Sequence, residues 1–288
     1  MEYLRTNAAA SALGLFVVCK YLSANPNGRT EAELREALEV LRSTQSDAEG
    51  TAAVLTASLT VGQGLGAVAR ESSSAPWTVT PNVAAAMAHA NGRWDGFRGS
   101  LLMLMMEHGS TQALETGTAP DLIRGLAWFM QLSPLNPPSL SWEAGPYQAT
   151  KALNFDALER SEHWRPLRRW AVALGLARAS ETAKVLLPDA TTAVADQIPH
   201  LPRAASAAEW LHALRGRLPI LGGSRMMEQL PKGGSEWTPL PPGLVLGLLK
   251  LESAGTLSLE SSDDASDVVP LGLGETTRQV GRIVVKGS

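Results

Sequence analysis

Five arginines crowd the stretch from Arg160 to Arg178: Arg160, Arg165, Arg168, Arg169 and Arg178 stand against Glu162 alone, a formal charge of +4. Arg165, Arg168 and Arg169 are spaced i, i+3 and i+4, which on a helix puts them on one face. Trp164, Leu167, Ala171 and Leu174 fall on a second face suited to packing. Lys184 follows a short way on, in a strand–turn–strand segment. Fixed cations on a rigid helix are what phosphate contacts require, because each neutralised phosphate releases condensed counterions. The same stripe also suits an acidic protein partner, or a solvated surface with no partner. The candidate DNA-binding residues are therefore Arg160, Arg165, Arg168, Arg169, Arg178 and Lys184.

No other pattern supplies a reaction centre. VGQGLG, residues 61–66, has alternating glycines but lacks the third position of a dinucleotide fingerprint and follows a helix where a strand is needed. His89, His108, His163, His200 and His212 are scattered, and MMEHG has a Glu–His pair without the second histidine of a zinc helix. G-x-S-x-G does not occur. Cys19 lies in the apolar run GLFVVCKYL and reads as core; one cysteine excludes an internal disulfide and a cysteine-based zinc site. Asp263, Asp264 and Asp267 lie in SSDDASD, which lacks the glycine and terminal glutamate of a calcium loop and reads as solvated charge. The expectation is no catalytic residue, no metal ligand and no cofactor.

To hold the arginines in place, HWRPLRRWAVAL must be an amphipathic helix that stops at Gly175 and continues as two strands, LARA and KVLLP. Helix, glycine, strand, polar turn and strand is how a winged helix-turn-helix module ends. Two further endings read alike: GLGAVARESSSAPWTVTP near Gly66, and SAGTLSLESSDDASDVVPLG near Gly255. In the last, TLSLE is expected to pair with VVPLGL across the acidic tip. Ahead of the first ending, residues 8–23 form an apolar helix with Leu13, Phe16, Val17 and Tyr21 near one face. Thr30 and Glu33 then open a second helix as a capping box, with Leu34, Leu38 and Leu41 inward. A third helix covers Ala48 to Thr60.

The expected fold is mainly α with small β-hairpins (α+β), as tandem winged helix-turn-helix units around a helical middle. The divisions are a winged-helix domain over 1–82, a helical middle and Pro-rich linker over 83–145, and winged-helix-like units over 146–200 and 201–288. Met103, Met105 and Met106 in the middle read as adaptable core, with a binding groove as the alternative. Pro134, Pro137, Pro138 and Pro146 rule out a helix or central strand across Ser133–Pro146 and make it the candidate boundary. A formal charge of −3 over 288 residues carries no global signal for nucleic acid, so any DNA contact has to be local. The first unit is acidic, with six Lys/Arg against eight Asp/Glu through Trp77, a charge better suited to protein contacts. No apolar run approaches a membrane span and the start lacks a signal-peptide pattern, so a cytoplasmic protein without membrane contact is expected.

DLIRGLAWFMQLSPLNPP (Asp121–Pro138), HWRPLRRWAVALGLA (His163–Ala177) with the following LLPDATTAV, and LGLLKLESAGTLSLE together resemble the bacterial DpdG family. That family belongs to gene islands that install 7-deazaguanine bases in DNA and restrict unmodified DNA. The resemblance implies an accessory subunit of a DNA-modification or antiphage-defence system, and it carries over no catalytic residues. The expected function is a non-enzymatic subunit that binds double-stranded DNA through the local basic helix, alongside protein subunits of a defence complex. The alternative is an adaptor that bridges larger ATPase or nuclease subunits without touching DNA. A hydrolase is a third reading, for which the sequence offers no nucleophile, metal or phosphate site.

Overall fold

The computed structural model describes residues 2–38, 48–231, 237–238, 240–261 and 268–286, with 48–52 described by backbone alone. Leu41 and the loop aspartates Asp263, Asp264 and Asp267 lie outside the described residues. The protein is α+β, about half helical, with small antiparallel sheets. It gathers into two compact units: Met1–Leu122 with Glu162–Ala173, and Ile123–Ser161 with Leu174–Ser288. This division passes through the segment 83–145 and takes one helix out of the segment 146–200.

In the first unit, α1 (Ala12–Ser23) starts where Ser11 Oγ accepts the Gly14 N–H at 3.0 Å. Leu15, Val18, Cys19 and Leu22 point inward, whereas Leu13 is 51% exposed and Val17 and Tyr21 are half-buried. Of the face expected from sequence, only Phe16 is buried. The reason is the close approach of α3 (Ala48–Gly64): a Cβ on Gly14 would stand 3.1 Å from Ser58 Oγ, and one on Gly62 would stand 2.8 Å from Leu15 Cδ1. Glycine on both helices lets α1 turn its Gly14–Val18–Leu22 side inward. Between them, α2 (Glu31–Ala37) opens on the expected capping box. Glu33 Oε2 accepts the Thr30 N–H at 2.7 Å, and Thr30 Oγ1 accepts the Glu33 N–H at 3.3 Å. The hairpin β1 (Val68–Ala69) and β2 (Thr78–Val79) follows, then α4 (Pro81–His89) and α5 (Trp94–Thr116). Met105 and Met106 of α5 are buried and Met103 is half-buried, so the methionine cluster is mostly core.

Next in the chain come α6 (Asp121–Met130), α7 (Pro146–Ala152) and α8 (Ser161–Ala173). The strands β3 (Ala177–Ser180) and β4 (Val185–Pro188) pair antiparallel, and α9 (Thr191–Gln197) follows. The proline-rich stretch lies in the second unit and runs along β4. Leu186 N–H donates to the Pro138 carbonyl at 2.9 Å and Leu140 N–H to the Lys184 carbonyl at 2.8 Å. Trp128 of α6 is fully buried with its ring 5.9 Å from Phe155.

The remainder is β5 (Ala204–Ser206), α10 (Ala207–Arg217), α11 (Ser224–Met227), α12 (Pro242–Ser253), β6 (Leu257–Glu260), β7 (Val269–Leu273), β8 (Thr276–Val280) and β9 (Arg282–Val285). The expected pairing of TLSLE with VVPLGL does not form. β6 pairs with β9, which also pairs with β5, and β7 pairs with β8. The central position of this sheet needs an amide donor at every residue. Pro270 and Gly272 in β7 are unsuited to it, whereas RIVV supplies all its donors and sets Ile283 against Leu259 in the core.

One connection order recurs three times. A helix leads to an extended residue, further helices (two in the first and second cases, α10, α11 and α12 in the third), a left-handed glycine and two strands, and the extended residue lies beside the last strand. The first case is the bridge Arg29↔Trp77 next to β2–β1, and the second is Ser139↔Val185 next to β4–β3. The third is β5–β9–β6, with β7 and β8 inserted before the last strand. The glycines are Gly66, Gly175 and Gly255, with φ of +66, +74 and +74°. At the first and third, the amide after the glycine closes back on the helix: Ala67 N to Gly62 O at 2.8 Å and Thr256 N to Leu251 O at 2.9 Å.

Gly175 and Gly255 give a matched pair of sites. An alanine at either takes a left-handed backbone, at about 1–2 kcal/mol. Only at Gly175 would the new Cβ also meet Thr192 Cβ at 2.8 Å and the Ala193 nitrogen at 3.0 Å. Denaturant unfolding is expected to show Gly175→Ala losing roughly 1–3 kcal/mol more than Gly255→Ala; equal losses contradict the packing described.

Candidate nucleic-acid interface

The amphipathic pattern of α8 sorts its side chains as the sequence suggests. His163, Trp164, Pro166, Leu167, Trp170 and Ala171 are buried, while Arg165, Arg169 and Val172 are exposed and Arg168 is half-buried beside them. Arg165 and Arg169 lie one turn apart, about 6 Å along the axis. Their situations differ. Arg169 Nη2 donates to the carbonyls of Ala8 at 2.5 Å and Ala10 at 3.2 Å, and partial burial lowers its pKa from the ordinary arginine value. Arg165 extends into solvent from the same face.

Arg160, Arg178 and Lys184 belong to the second unit, so the six candidates fall on two units. Arg160 is exposed immediately before α8. Lys184 sits at the hairpin tip with φ +54° and meets Glu181 at 3.3 Å, both side chains being more than 70% exposed. A solvent-screened pair of this kind holds the ammonium weakly and leaves it able to exchange for a phosphate. Arg178 is committed otherwise: its Nε meets Asp189 Oδ2 at 2.9 Å.

Asp189 is a residue whose role sequence reasoning missed. Its side chain is almost wholly buried, and it takes Lys250 Nζ at 2.7 Å, the Thr191 N–H at 2.9 Å and the Thr191 hydroxyl. It thereby joins β3, the start of α9, and α12. The signal was present in LLPDATT, where an aspartate just before a helix start can accept the amide two residues on as an Asx turn. Burial alone would raise the carboxyl pKa, but the Lys250 ammonium and the Thr191 donors outweigh it and hold it below the ordinary carboxylate value. No group of three or more metal-ligating side chains occurs among the described residues, and none of their helices is long and apolar enough to cross a membrane.

Because the folded pKa of Asp189 is depressed, its stabilisation is complete above the unfolded value, near pH ~4, and fades as pH falls through the lower folded value. Asp189→Asn is expected to cost about 2–4 kcal/mol at neutral pH by stranding Lys250 and unpairing Thr191. It should also flatten the acid limb of the stability profile below pH ~4. An unchanged acid limb, measured by urea unfolding across pH, contradicts this assignment.

The sequence matches the DpdG-like family model over residues 1–265. No curated protein and no solved structure matches the chain. The blocks that carried the resemblance include both the cationic α8 and the Asp189 junction, and the match extends over most of the chain. The chain belongs to the DpdG-like family.

Proposed function

We propose that this protein is a non-enzymatic winged-helix subunit of a bacterial DNA-modification and defence complex, and that it contacts duplex DNA through α8. Membership of the DpdG-like family suggests a role in a DNA-modification island and association with its complex. The recurring order of helices and strands supports three winged helices, with α3, α8 and α12 in the position that enters a groove. The observation that carries the reading is the contrast among those three. α3 contains no lysine or arginine, and α12 buries Gly243, Leu244, Val245, Gly247, Leu248 and Leu251 and commits Lys250 to Asp189. α8 alone of the three turns arginine outward.

Arg165 is the first phosphate contact, with Arg168 beside it; Arg160 precedes the helix, and Lys184 occupies the tip of the hairpin that follows in sequence. Arg178 and Arg169 are held by Asp189 and by the Ala8 and Ala10 carbonyls, and act as framework. Arg165→Glu is expected to weaken duplex binding across unrelated sequences and to reduce the slope of log affinity against log salt by about one. Lys184→Glu should do the same, whereas Arg178→Ala should lower stability and leave the slope intact. An unchanged affinity and slope in Arg165→Glu overturns the DNA reading.

The adaptor reading is favoured by a separate observation: the first repeat presents an acidic α2, with Glu31, Glu33 and Glu36, next to an α3 that carries no lysine or arginine. Phosphates would be repelled there. If the protein fails to bind duplex at low salt yet co-purifies with a subunit of the modification complex, the adaptor reading replaces the first.

A further inference from the structure

The N-terminal residues are tied down at both ends within the first unit. Asp121, fully buried at the start of α6, accepts the Tyr3 N–H at 2.7 Å, the Leu4 N–H at 2.9 Å and the Arg5 N–H at 3.1 Å, together with its neighbour Leu122 at 2.7 Å. Successive amides converging on one carboxylate form an anion nest, here filled by a side chain of the protein itself. Tyr3 is buried edge-on against Trp170 of α8 at 6.0 Å and against His108 of α5 at 6.3 Å. Seven residues after Tyr3 the segment has reached α8 again, where Arg169 donates to the carbonyls of Ala8 and Ala10. Both clasps are charge-assisted, the stronger class of hydrogen bond.

We propose that residues 2–10 form a strap that positions the cationic face of α8, with Asp121 and Arg169 as its two clasps and Arg169 as a positioning residue that touches no nucleic acid. The proposal rests on α8 being the DNA contact. A strap is needed because α8 groups with the first unit, whereas β3 and β4, which continue from it, group with the second. The short connection through Gly175 leaves the rotation of α8 about its axis to be fixed by what packs on it. The strap fixes it twice, through the Tyr3–Trp170 ring contact and through Arg169. Because those two residues are adjacent on α8, holding them leaves Arg165, one turn earlier, directed outward.

The test compares Arg169→Met, Arg169→Lys and Arg165→Met in the full chain. Duplex binding is read by fluorescence anisotropy across a potassium chloride series, and hydrogen exchange is read over residues 2–10 and α8. Arg169→Met is expected to weaken binding about tenfold, the scale of one lost charge-assisted hydrogen bond, with the salt slope unchanged and faster exchange in the strap. Arg169→Lys, which keeps donors for both carbonyls, should recover most of the affinity and protection. Arg165→Met should lower the slope by about one and leave exchange in the strap as it was. A slope loss in Arg169→Met equal to that of Arg165→Met makes Arg169 a phosphate contact and overturns the proposal. Unchanged affinity and exchange in Arg169→Met overturn it equally. If the unmodified protein binds no duplex, the DNA reading fails, and exchange alone decides the strap: loosening of residues 2–10 and α8 in Arg169→Met supports it, and no loosening refutes it.

Discussion

Burial of Trp164, Leu167 and Trp170 along one side of α8 decides where its arginines go. Each of these side chains is at most 1% exposed. Returning two indoles and a leucine to water would cost several kcal/mol, far more than any gain from a different arginine placement. Arg165 and Arg169 are therefore outward by exclusion. The N-terminal segment uses one of them as a clasp and leaves the other in solvent. The charge on this face is a consequence of core packing, and the Tyr3–Trp170 contact and the Arg169 clasp hold that face in one rotation.

A second constraint joins the middle and last repeats. Asp189 is buried where β4 ends and α9 begins, and its partners come from β3, α9 and α12. Lys250 projects from the helix that in a winged helix would face the groove. With Lys250 drawn into Asp189 and the leucines of α12 packed against α9, β4, β6 and β7, that helix serves as internal support. The β7–β8 hairpin reinforces this, as Arg278 of β8 meets Glu252 of α12 at 2.6 Å. Three repeats of one topology thus take different parts: an acidic and neutral first repeat, a cationic second, and a third turned inward.

Much of this was legible in residues whose signals are local. The Thr30–Glu33 box, the three left-handed glycines and the two faces of α8 depend on near neighbours in sequence, and each stands where its pattern indicates. What was not legible depends on partners far along the chain. The rotation of α1 is set by Gly14 and Gly62, which lie 48 positions apart and matter only when two helices cross. β6 looked toward its nearest strand-like neighbour, but proline and glycine in β7 handed the pairing to β9, beyond an inserted hairpin. Helical spacing puts Arg169 with Arg165, and the local excess of arginine adds Arg178. Spacing does not tell a solvated guanidinium from one that meets carbonyls some 160 residues away or a buried aspartate. The strap was hidden for the same reason, since backbone amides carry no sequence signature.

The account turns on whether α8 meets phosphate, and the salt dependence of duplex binding by the unmodified protein tests that most directly. With Arg165 and Arg168 of α8 supplying one or two contacts, log affinity should fall linearly with log salt at a slope of about −1 to −2. It should do so to a similar degree on unrelated sequences, because phosphate contacts carry no base information. A slope near zero, or no binding to duplex at low salt, would contradict it.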